Sequence, residues 1–287
     1  MVLELPGGEV VVIDGGGSYE RFDMGRGVVA PYLWNRGIRT VDYVIATHPQ
    51  LDHVGGLPYI LRHFSVRHYW GTGDVREEPF YQRLQQVLAE QGLGEHIPHE
   101  RQAVVTFGTC LLEVLNPSDT IERQPTAARG RQAGHALNNR SIVTALTCGP
   151  HRLLFTADVE AEALTRMSHE QAAGSVDLVK VPHHGAASSY LREWLEAVRP
   201  RYGVISVGRH NAYGHPAPAV VQAYADRGIT LYRTDRDGGV WAIGRCSEPQ
   251  LVIHVTREQQ PQRVPFPACM WSCERSNWER LLQRSSS

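Results

Sequence analysis

Short β-rich runs alternate with helical patterns along most of this 287-residue chain. The helical patterns fall at 55–64, 76–92, 159–169, 188–198 and 217–226. The strand candidates are rich in valine, isoleucine and leucine and cover 9–14, 41–47, 110–116, 142–148, 152–158, 177–182, 202–208 and 229–235. This alternation predicts a layered α/β domain.

The composition changes near residue 245. Residues 1–245 are predicted to form one domain, and 246–287 a C-terminal extension. Within that extension, "CMWSCERSNWERLLQR" has the spacing of a short amphipathic helix. The polar segment 117–136 contains proline and glycine and is predicted to be a long loop.

Composition also limits the compartment and the partners. The N-terminus lacks the charged and apolar regions of a signal peptide, and no apolar run approaches the roughly 20 residues of a membrane span. Five cysteines, an odd number, favour reduced thiols over a disulfide framework. We therefore predict a cytoplasmic protein without an integral membrane segment. The net charge of -1 excludes a strongly basic nucleic-acid surface, so a polyanion would be attracted by a local patch or a metal ion.

Histidine and aspartate follow four of the predicted strands directly or after a short loop. In chain order they are His48, Asp52 and His53, then Asp158, then His183 and His184, then His215. Loops at the carboxyl ends of strands form the sites of layered α/β folds, so these side chains are expected to converge at one sheet edge. Imidazole and carboxylate bind zinc or manganese, and one aspartate can bridge two ions. The alternative is a set of unrelated caps and turns, with Asp52 as a helix N-cap and His184 as a surface histidine.

The order of the sequence motifs favours the metal site and indicates a protein family. The chain carries, in this order, the motifs "IDGGG", "THPQLDHVGG", "NNRS", "FTADVEAEAL", "VKVPHHG", "SVGRHNAYGHP" and "YRTDRDG", and the likeness that they define runs from about residue 2 to residue 243. Together they resemble the metallo-β-lactamase fold domain at the carboxyl end of ComEC-type competence proteins, which take up DNA. The resemblance implies a four-layer αββα sandwich, a metal site at a sheet edge and nuclease activity on DNA.

The resemblance also implies roles for the ligand-type residues. Asp52 and His53 would bind one ion, which His183 or His184 completes. His48 would bind a second ion, with Asp158 as the bridge. His215 would be a further ligand or a donor to phosphate. One or two zinc or manganese ions per chain are therefore expected.

Four further residues are candidate weak ligands or substrate contacts, namely Gln50, Asn138, Ser141 and Lys180. Gln50 departs from the pattern, because the broad family has histidine at this position and the ComEC-like branch usually has aspartate. The glutamine carbonyl is a weaker ligand, so the His48 position is expected to hold its ion loosely and the Asp52/His53 position tightly.

The leading functional hypothesis is a metal-dependent phosphodiesterase or nuclease that acts on DNA or nucleotides through a metal-bound hydroxide. Asp52 and His215 are its candidate catalytic residues. The same chemistry at a carbonyl would produce an ester or thioester hydrolase. A metal-stabilised binding module with little turnover is the third hypothesis.

Overall fold

Two mixed sheets form the centre of the protein. The computed structural model describes residues 1–74, 76–100, 104–117, 131–170 and 173–257. The first sheet has the strand order β1-β2-β5-β6-β7, and all its pairings are parallel except that of β1 with β2. Its strands are β1 (Val2–Glu4), β2 (Val10–Ile13), β5 (Thr40–Ile45), β6 (Ser65–Trp70) and β7 (Glu95–His96). Between β2 and β5 lies a small hairpin of β3 (Ser18–Tyr19) and β4 (Phe22–Asp23).

The second sheet has the order β14-β13-β12-β11-β10-β9-β8. Its strands β11 to β14 are parallel, and β8 to β11 are antiparallel. They are β8 (Val104–Phe107), β9 (Cys110–Asn116), β10 (Val143–Cys148), β11 (His151–Phe155), β12 (Leu178–Lys180), β13 (Tyr202–Ile205) and β14 (Thr230–Arg233). A separate hairpin pairs β15 (Val240–Ile243) with β16 (Val252–Val255).

The α-helices lie between these strands in the chain. They are α1 (Ala30–Asn35), α2 (Leu51–Val54), α3 (Leu57–His63), α4 (Pro79–Glu90), α5 (Arg131–Asn139), α6 (Ala161–His169), α7 (Arg192–Val198), α8 (Pro218–Ala225) and α9 (Thr234–Asp237). Among the described residues, no helix combines the length and the apolar character that crossing a bilayer requires.

Three hydrophobic clusters define the layers. The first packs one sheet against the other, with Ile13 and Ile45 from the first sheet and Leu112 and Leu146 from the second. The second cluster places α6, α7 and α8 on the outer face of the second sheet. The third places α1, α3 and α4 on the outer face of the first sheet. Each sheet therefore buries both faces, which confirms the predicted αββα sandwich.

The predicted elements can be compared with the observed ones. Each of the eight predicted strands overlaps an observed strand, and most bounds differ by one to three residues. The helical pattern at 55–64 is observed as α3 (Leu57–His63), and the glycine pair separates it from the short helix α2, which the sequence did not predict. The loop prediction for 117–136 is wrong at its end, where α5 begins at Arg131. Residues 118–130 and the predicted amphipathic helix at 269–284 lie outside the described residues.

One expectation about the cysteines is wrong. Cys110 on β9 and Cys148 on β10 are directly opposite each other, with a Cα–Cα distance of 4.2 Å, and form a disulfide. Reduced thiols were expected because the spacing of five cysteines does not reveal cross-strand partners. The pairing register supplies that information, since residues opposite on neighbouring antiparallel strands have adjacent side chains.

Candidate metal centre

The candidate ligands come from both sheets. His48 lies in the turn that follows β5 of the first sheet, and Asp52 and His53 lie in the short helix α2 directly after it. Asp158 and the His183–His184 pair follow β11 and β12 of the second sheet. Backbone hydrogen bonds tie the segments together, with 2.8 Å from Ile142 N to Thr47 O across the sheets. The site thus lies where the ends of two sheets meet, and the expectation of convergence at the edge of one sheet needs this correction.

Close backbone contact explains the glycines of the first two motifs. The Gly56 amide donates to Gly16 O at 2.7 Å, and the Gly15 amide donates to His53 O at 2.8 Å. A Cβ atom added at Gly15 would lie 2.5 Å from the Leu57 nitrogen. The "DGGG" loop and the "DHVGG" turn can therefore pack backbone to backbone only because they lack side chains there.

Four side chains converge at the centre of the site. Asp52, His53, Asp158 and His184 each present a ligand atom, and these four atoms lie within 4.8 Å of one another. Asp158 Oδ2 is 3.3 Å from His53 Nε2 and 3.2 Å from His184 Nε2. Asp52 Oδ2 is 3.5 Å from His184 Nε2. This is a set of two imidazoles and two carboxylates of the kind that zinc and related divalent ions bind.

The imidazole nitrogens that face the centre fit a metal ion. His48 Nε2, His53 Nε2 and His184 Nε2 are all buried, and none makes a hydrogen bond to a described residue. Buried polar atoms without hydrogen-bond partners are costly, and His53 Nε2 and His184 Nε2 lie in the same cluster of four ligand atoms, where one cation would satisfy both. The residues therefore fit a divalent cation.

Hydrogen bonds on the opposite ring nitrogens set the orientation of these histidines. His53 Nδ1 donates to Asp14 Oδ2 at 2.6 Å, and His184 Nδ1 donates to the carbonyl oxygen of Ser206 at 2.6 Å. His48 Nδ1 lies 3.1 Å from Thr47 Oγ1, which itself donates to Asp14 at 2.9 Å. A proton on Nδ1 leaves the Nε2 lone pair for a metal. Asp14 was missed as a site residue, although its place at the end of β2 was a usable signal.

We expect Asp14→Asn to lower the affinity for zinc by roughly 10- to 100-fold, because the amide no longer strengthens His53 as a ligand. Competition titration against a chromophoric chelator measures this change. The control is Asp42→Asn, which alters a buried carboxylate of the same sheet that accepts from Val10 N at 2.8 Å. Equal losses in both variants would show that Asp14 acts only through stability.

Backbone strain is concentrated at the site. Positive φ angles occur at Asp14 (59°), Ala157 (49°), His183 (44°) and His184 (54°). Among the described residues, the only other non-glycine residue with a positive φ is Arg199. Left-handed backbone is unfavourable for side chains with a Cβ atom, and it persists at functional sites where the surroundings enforce it. The two consecutive strained histidines turn their rings in different directions.

Charge and burial shift the pKa values of His48 and His53, whose rings are neighbours, in opposite directions. Burial, with the nearby charge of His53, lowers the pKa of His48 to about 3, so its ring is neutral at pH 7. Burial also disfavours the charged form of His53, but the carboxylates of Asp158 and Asp14 outweigh it and raise the pKa of His53 well above its ordinary value. A metal ion that binds His53 must therefore displace a proton, which makes its affinity fall as the pH falls.

Lys180 lies behind the centre. Its side chain is 6% exposed, and Nζ donates to Asp158 Oδ1 at 3.0 Å and to the carbonyl oxygen of Ala157. Although burial disfavours the carboxylate, Lys180 and then His53 hold the pKa of Asp158 well below its ordinary value. Lys180 was a candidate substrate contact, but its buried side chain binds Asp158 instead.

A polar network runs beside the four-ligand cluster. Gln50 Nε2 donates to Asn138 Oδ1 at 2.7 Å, and Asn138 Nδ2 donates to Glu160 Oε1 at 2.8 Å. Glu160 Oε1 is also 3.2 Å from His183 Nδ1, and Glu160 Oε2 contacts His135. Glu160 and His135 were missed because neither follows a strand directly. The amides of Gln50 and Asn138 thus bind each other beside His48.

The remaining candidates lie at different depths. His183 Nε2 is 3.9 Å from Asp158 Oδ2, farther than His184 Nε2. The His215 ring is half-buried, and its centroid lies 5.6 Å from that of His183.

Ser141 is buried, its hydroxyl has no partner among the described residues, and its carbonyl accepts from Asn116 Nδ2 at 2.6 Å. His215 is therefore at the rim of the site, whereas Ser141 supports the loop structure.

The four-layer sandwich and the His/Asp centre between its sheets define a metal-dependent hydrolase. The pattern of the Metallo-beta-lactamase superfamily matches residues 1–209, and the chain belongs to that superfamily. It is 28% identical over 220 residues to ComE operon protein 3 of Bacillus subtilis, covering 76% of this chain and 26% of that protein. It is 26% identical over 219 residues to Competence protein ComA of Neisseria gonorrhoeae, covering 76% of this chain and 27% of that protein.

These relatives confirm the resemblance to ComEC-type competence proteins. The chain spans about a quarter of the length of each of the two. Among solved structures, the metallo-beta-lactamase fold protein YhfI from Bacillus subtilis is similar, with a TM-score of 0.48 and 10% identity. That match covers 81% of this chain and 86% of YhfI.

Proposed function

We propose that the protein is a metal-dependent phosphodiesterase that cleaves nucleic acid. The observation that carries the proposal is the four-ligand cluster of Asp52, His53, Asp158 and His184. A divalent ion bound there would supply Lewis-acid polarisation of a phosphoryl oxygen and would lower the pKa of water towards neutrality. Zinc and manganese both suit this set of ligands.

The exposed fractions of the side chains indicate different roles for the residues around the cluster. The Asp52 side chain is 41% exposed, whereas those of His53 and Asp158 are buried. Asp52 therefore faces the incoming substrate, where its carboxylate can orient the attacking water. His215 lies at the rim beside His183, where its ring can donate a hydrogen bond to a phosphate oxygen. Lys180 is buried and keeps Asp158 ionised.

The relatives support a nucleic-acid substrate. ComA is a competence protein by name, and a Haemophilus influenzae relative that is 25% identical over 227 residues is named Recombination protein 2. Because the chain corresponds to about a quarter of such relatives, the proposal concerns hydrolysis by this domain and does not extend to DNA uptake.

The test compares substrate classes on the metal-loaded protein. Single- and double-stranded DNA, nucleotides, bis-p-nitrophenyl phosphate and a thioester are assayed side by side with zinc or manganese. We expect phosphodiester cleavage that is lost with a chelator and in Asp52→Ala. A higher rate on the thioester would assign the same centre to carbonyl chemistry, and no turnover of any substrate would favour a binding module.

The hydrogen bond between the side-chain amides of Gln50 and Asn138 bears on how many metal ions the chain holds. Gln50 and Asn138 bind each other, so we propose that the Asp52/His53 position holds one ion tightly and that the His48 position holds a second one loosely. Elemental analysis should then find close to one ion per chain. We expect Gln50→Asp to raise the count towards two, because a carboxylate beside His48 is a stronger ligand than an amide oxygen. Gln50→Glu adds the same charge with a longer stem, and an unchanged count in both variants would contradict this explanation.

A further inference from the structure

Two strongly exposed tyrosines flank the metal centre. Tyr19 is 57% exposed and lies in the β3–β4 hairpin, which follows the glycine loop. Tyr213 is 81% exposed and lies in the loop between β13 and α8. The two are far apart in the sequence: the Tyr19 hairpin lies between β2 and β5 of the first sheet, and the Tyr213 loop follows β13 of the second sheet. Neither belongs to the hydrophobic clusters among the described residues, so core packing does not account for them.

Backbone contacts hold the Tyr19 hairpin against the loop that carries Asp52. The Gly56 amide bonds to Gly16 O, and a Cβ atom added at Gly55 would lie 2.6 Å from the Ser18 nitrogen. Partial burial, and then the charges of Asp52 and Tyr213, raise the pKa of the Tyr19 hydroxyl. The Tyr19 hairpin therefore packs against the segment that carries the exposed ligand Asp52, and the Tyr19 hydroxyl is within electrostatic range of both Asp52 and Tyr213.

The His215 ring and the hydrogen bonds of its loop hold Tyr213 in position. Its ring stacks on the His215 imidazole, with 5.9 Å between centroids and 15° between planes. Two 2.8 Å hydrogen bonds between Asn211 and the backbone of His215 hold the loop in place. The His215 ring is in turn 5.6 Å from that of His183. Tyr213 thus presents one free face at the mouth of the site.

Each tyrosine has an exposed arginine in the same segment. Arg21 is in the turn that follows Tyr19, and Arg209 precedes Tyr213 in its loop. Exposed aromatic faces beside arginines are the means by which proteins bind single-stranded nucleic acid, because bases stack on the rings while the cations follow the phosphates. A duplex hides its base faces within the stack and cannot use them.

We propose that Tyr19 and Tyr213 stack on unpaired bases that flank the scissile phosphodiester and so select single-stranded nucleic acid. The inference rests on the proposed function, since it assigns the substrate class of the same centre. The bases would lie on the two rims, and the phosphodiester between them would face Asp52.

The test separates base stacking from backbone charge. Fluorescence anisotropy measures binding of the metal-loaded protein to a phosphorothioate-linked oligothymidylate and to an abasic strand of equal length. We expect Tyr19→Leu and Tyr213→Leu each to weaken oligothymidylate binding by roughly 5- to 100-fold and to leave abasic binding unchanged. Tyr19→Phe and Tyr213→Phe keep the ring and should bind as the wild type does.

A control variant and the contrary outcomes distinguish base stacking from a general effect of losing an exposed ring. Trp34→Leu removes an exposed ring that packs against Phe64, and it should not change oligothymidylate binding. Equal weakening on both strands, no weakening, or tighter binding of duplex than of single strand by the wild type would overturn the inference. Base-dependent binding without cleavage would support the inference while overturning the proposed hydrolysis.

Discussion

Asp158→Ala is expected to abolish metal binding and to lower the free energy of unfolding of the metal-free protein by about 3–5 kcal/mol. Asp158 offers Oδ2 to His53 and His184 and Oδ1 to Lys180. The substitution therefore removes a ligand shared by the whole cluster and leaves the Lys180 ammonium buried without its carboxylate. Chemical denaturation in the presence of a chelator measures the stability change alone, because stabilisation by bound metal is then absent.

The matched control is the double variant Asp158→Ala/Lys180→Met, which removes the unpaired charge and keeps most of the side-chain volume. We expect it to regain most of the lost stability while metal binding remains absent. If the double variant is as unstable as Asp158→Ala, the loss arises from the cavity or the strained loop at Ala157 and not from the buried charge.

The two histidines of "PHHG" are expected to respond very differently to substitution. His184→Ala should lose the tightly bound ion, and its hydrolytic activity should fall to that of chelated wild type. His184 Nε2 lies 3.2 Å from Asp158 Oδ2 and 3.5 Å from Asp52 Oδ2, at the centre of the ligand cluster. Its Nδ1 donates to the carbonyl oxygen of Ser206, which holds the ring in this orientation.

His183→Ala is the matched comparison, because it removes the same side chain one position earlier. His183 Nε2 is 3.9 Å from Asp158 Oδ2, and its Nδ1 faces Glu160. We expect this variant to keep the tight ion, because His183 is not among the four clustered ligands. Elemental analysis and the nuclease assay together check both variants. Loss of the tight ion in His183→Ala but not in His184→Ala would reverse the assignment.

Part of the candidate site could be predicted from the sequence alone, because its ligand-type residues follow strands. His48, Asp52, His53 and Asp158 each follow a run of apolar β-forming residues, and that local pattern predicted that ligand-type side chains would gather at strand ends, as Asp52, His53 and Asp158 do in the structure. The orientation of Lys180 could not be predicted, because a three-residue strand buried on both faces has no alternation that distinguishes its sides. The role of Gln50 depended on Asn138, which lies 88 residues away in the sequence.

The sequence by itself determined the alternation of strands and helices, the superfamily and the ligand types, since these follow from local patterns of apolar residues, glycines and motif spacing. Only the tertiary structure decided that the ligands come from two sheets, that His184 and not His183 completes the cluster, and that Asp14 and Glu160 orient the histidines. The physical reason is that distances of a few ångströms between segments far apart in the chain depend on strand register and sheet packing, which no local pattern contains.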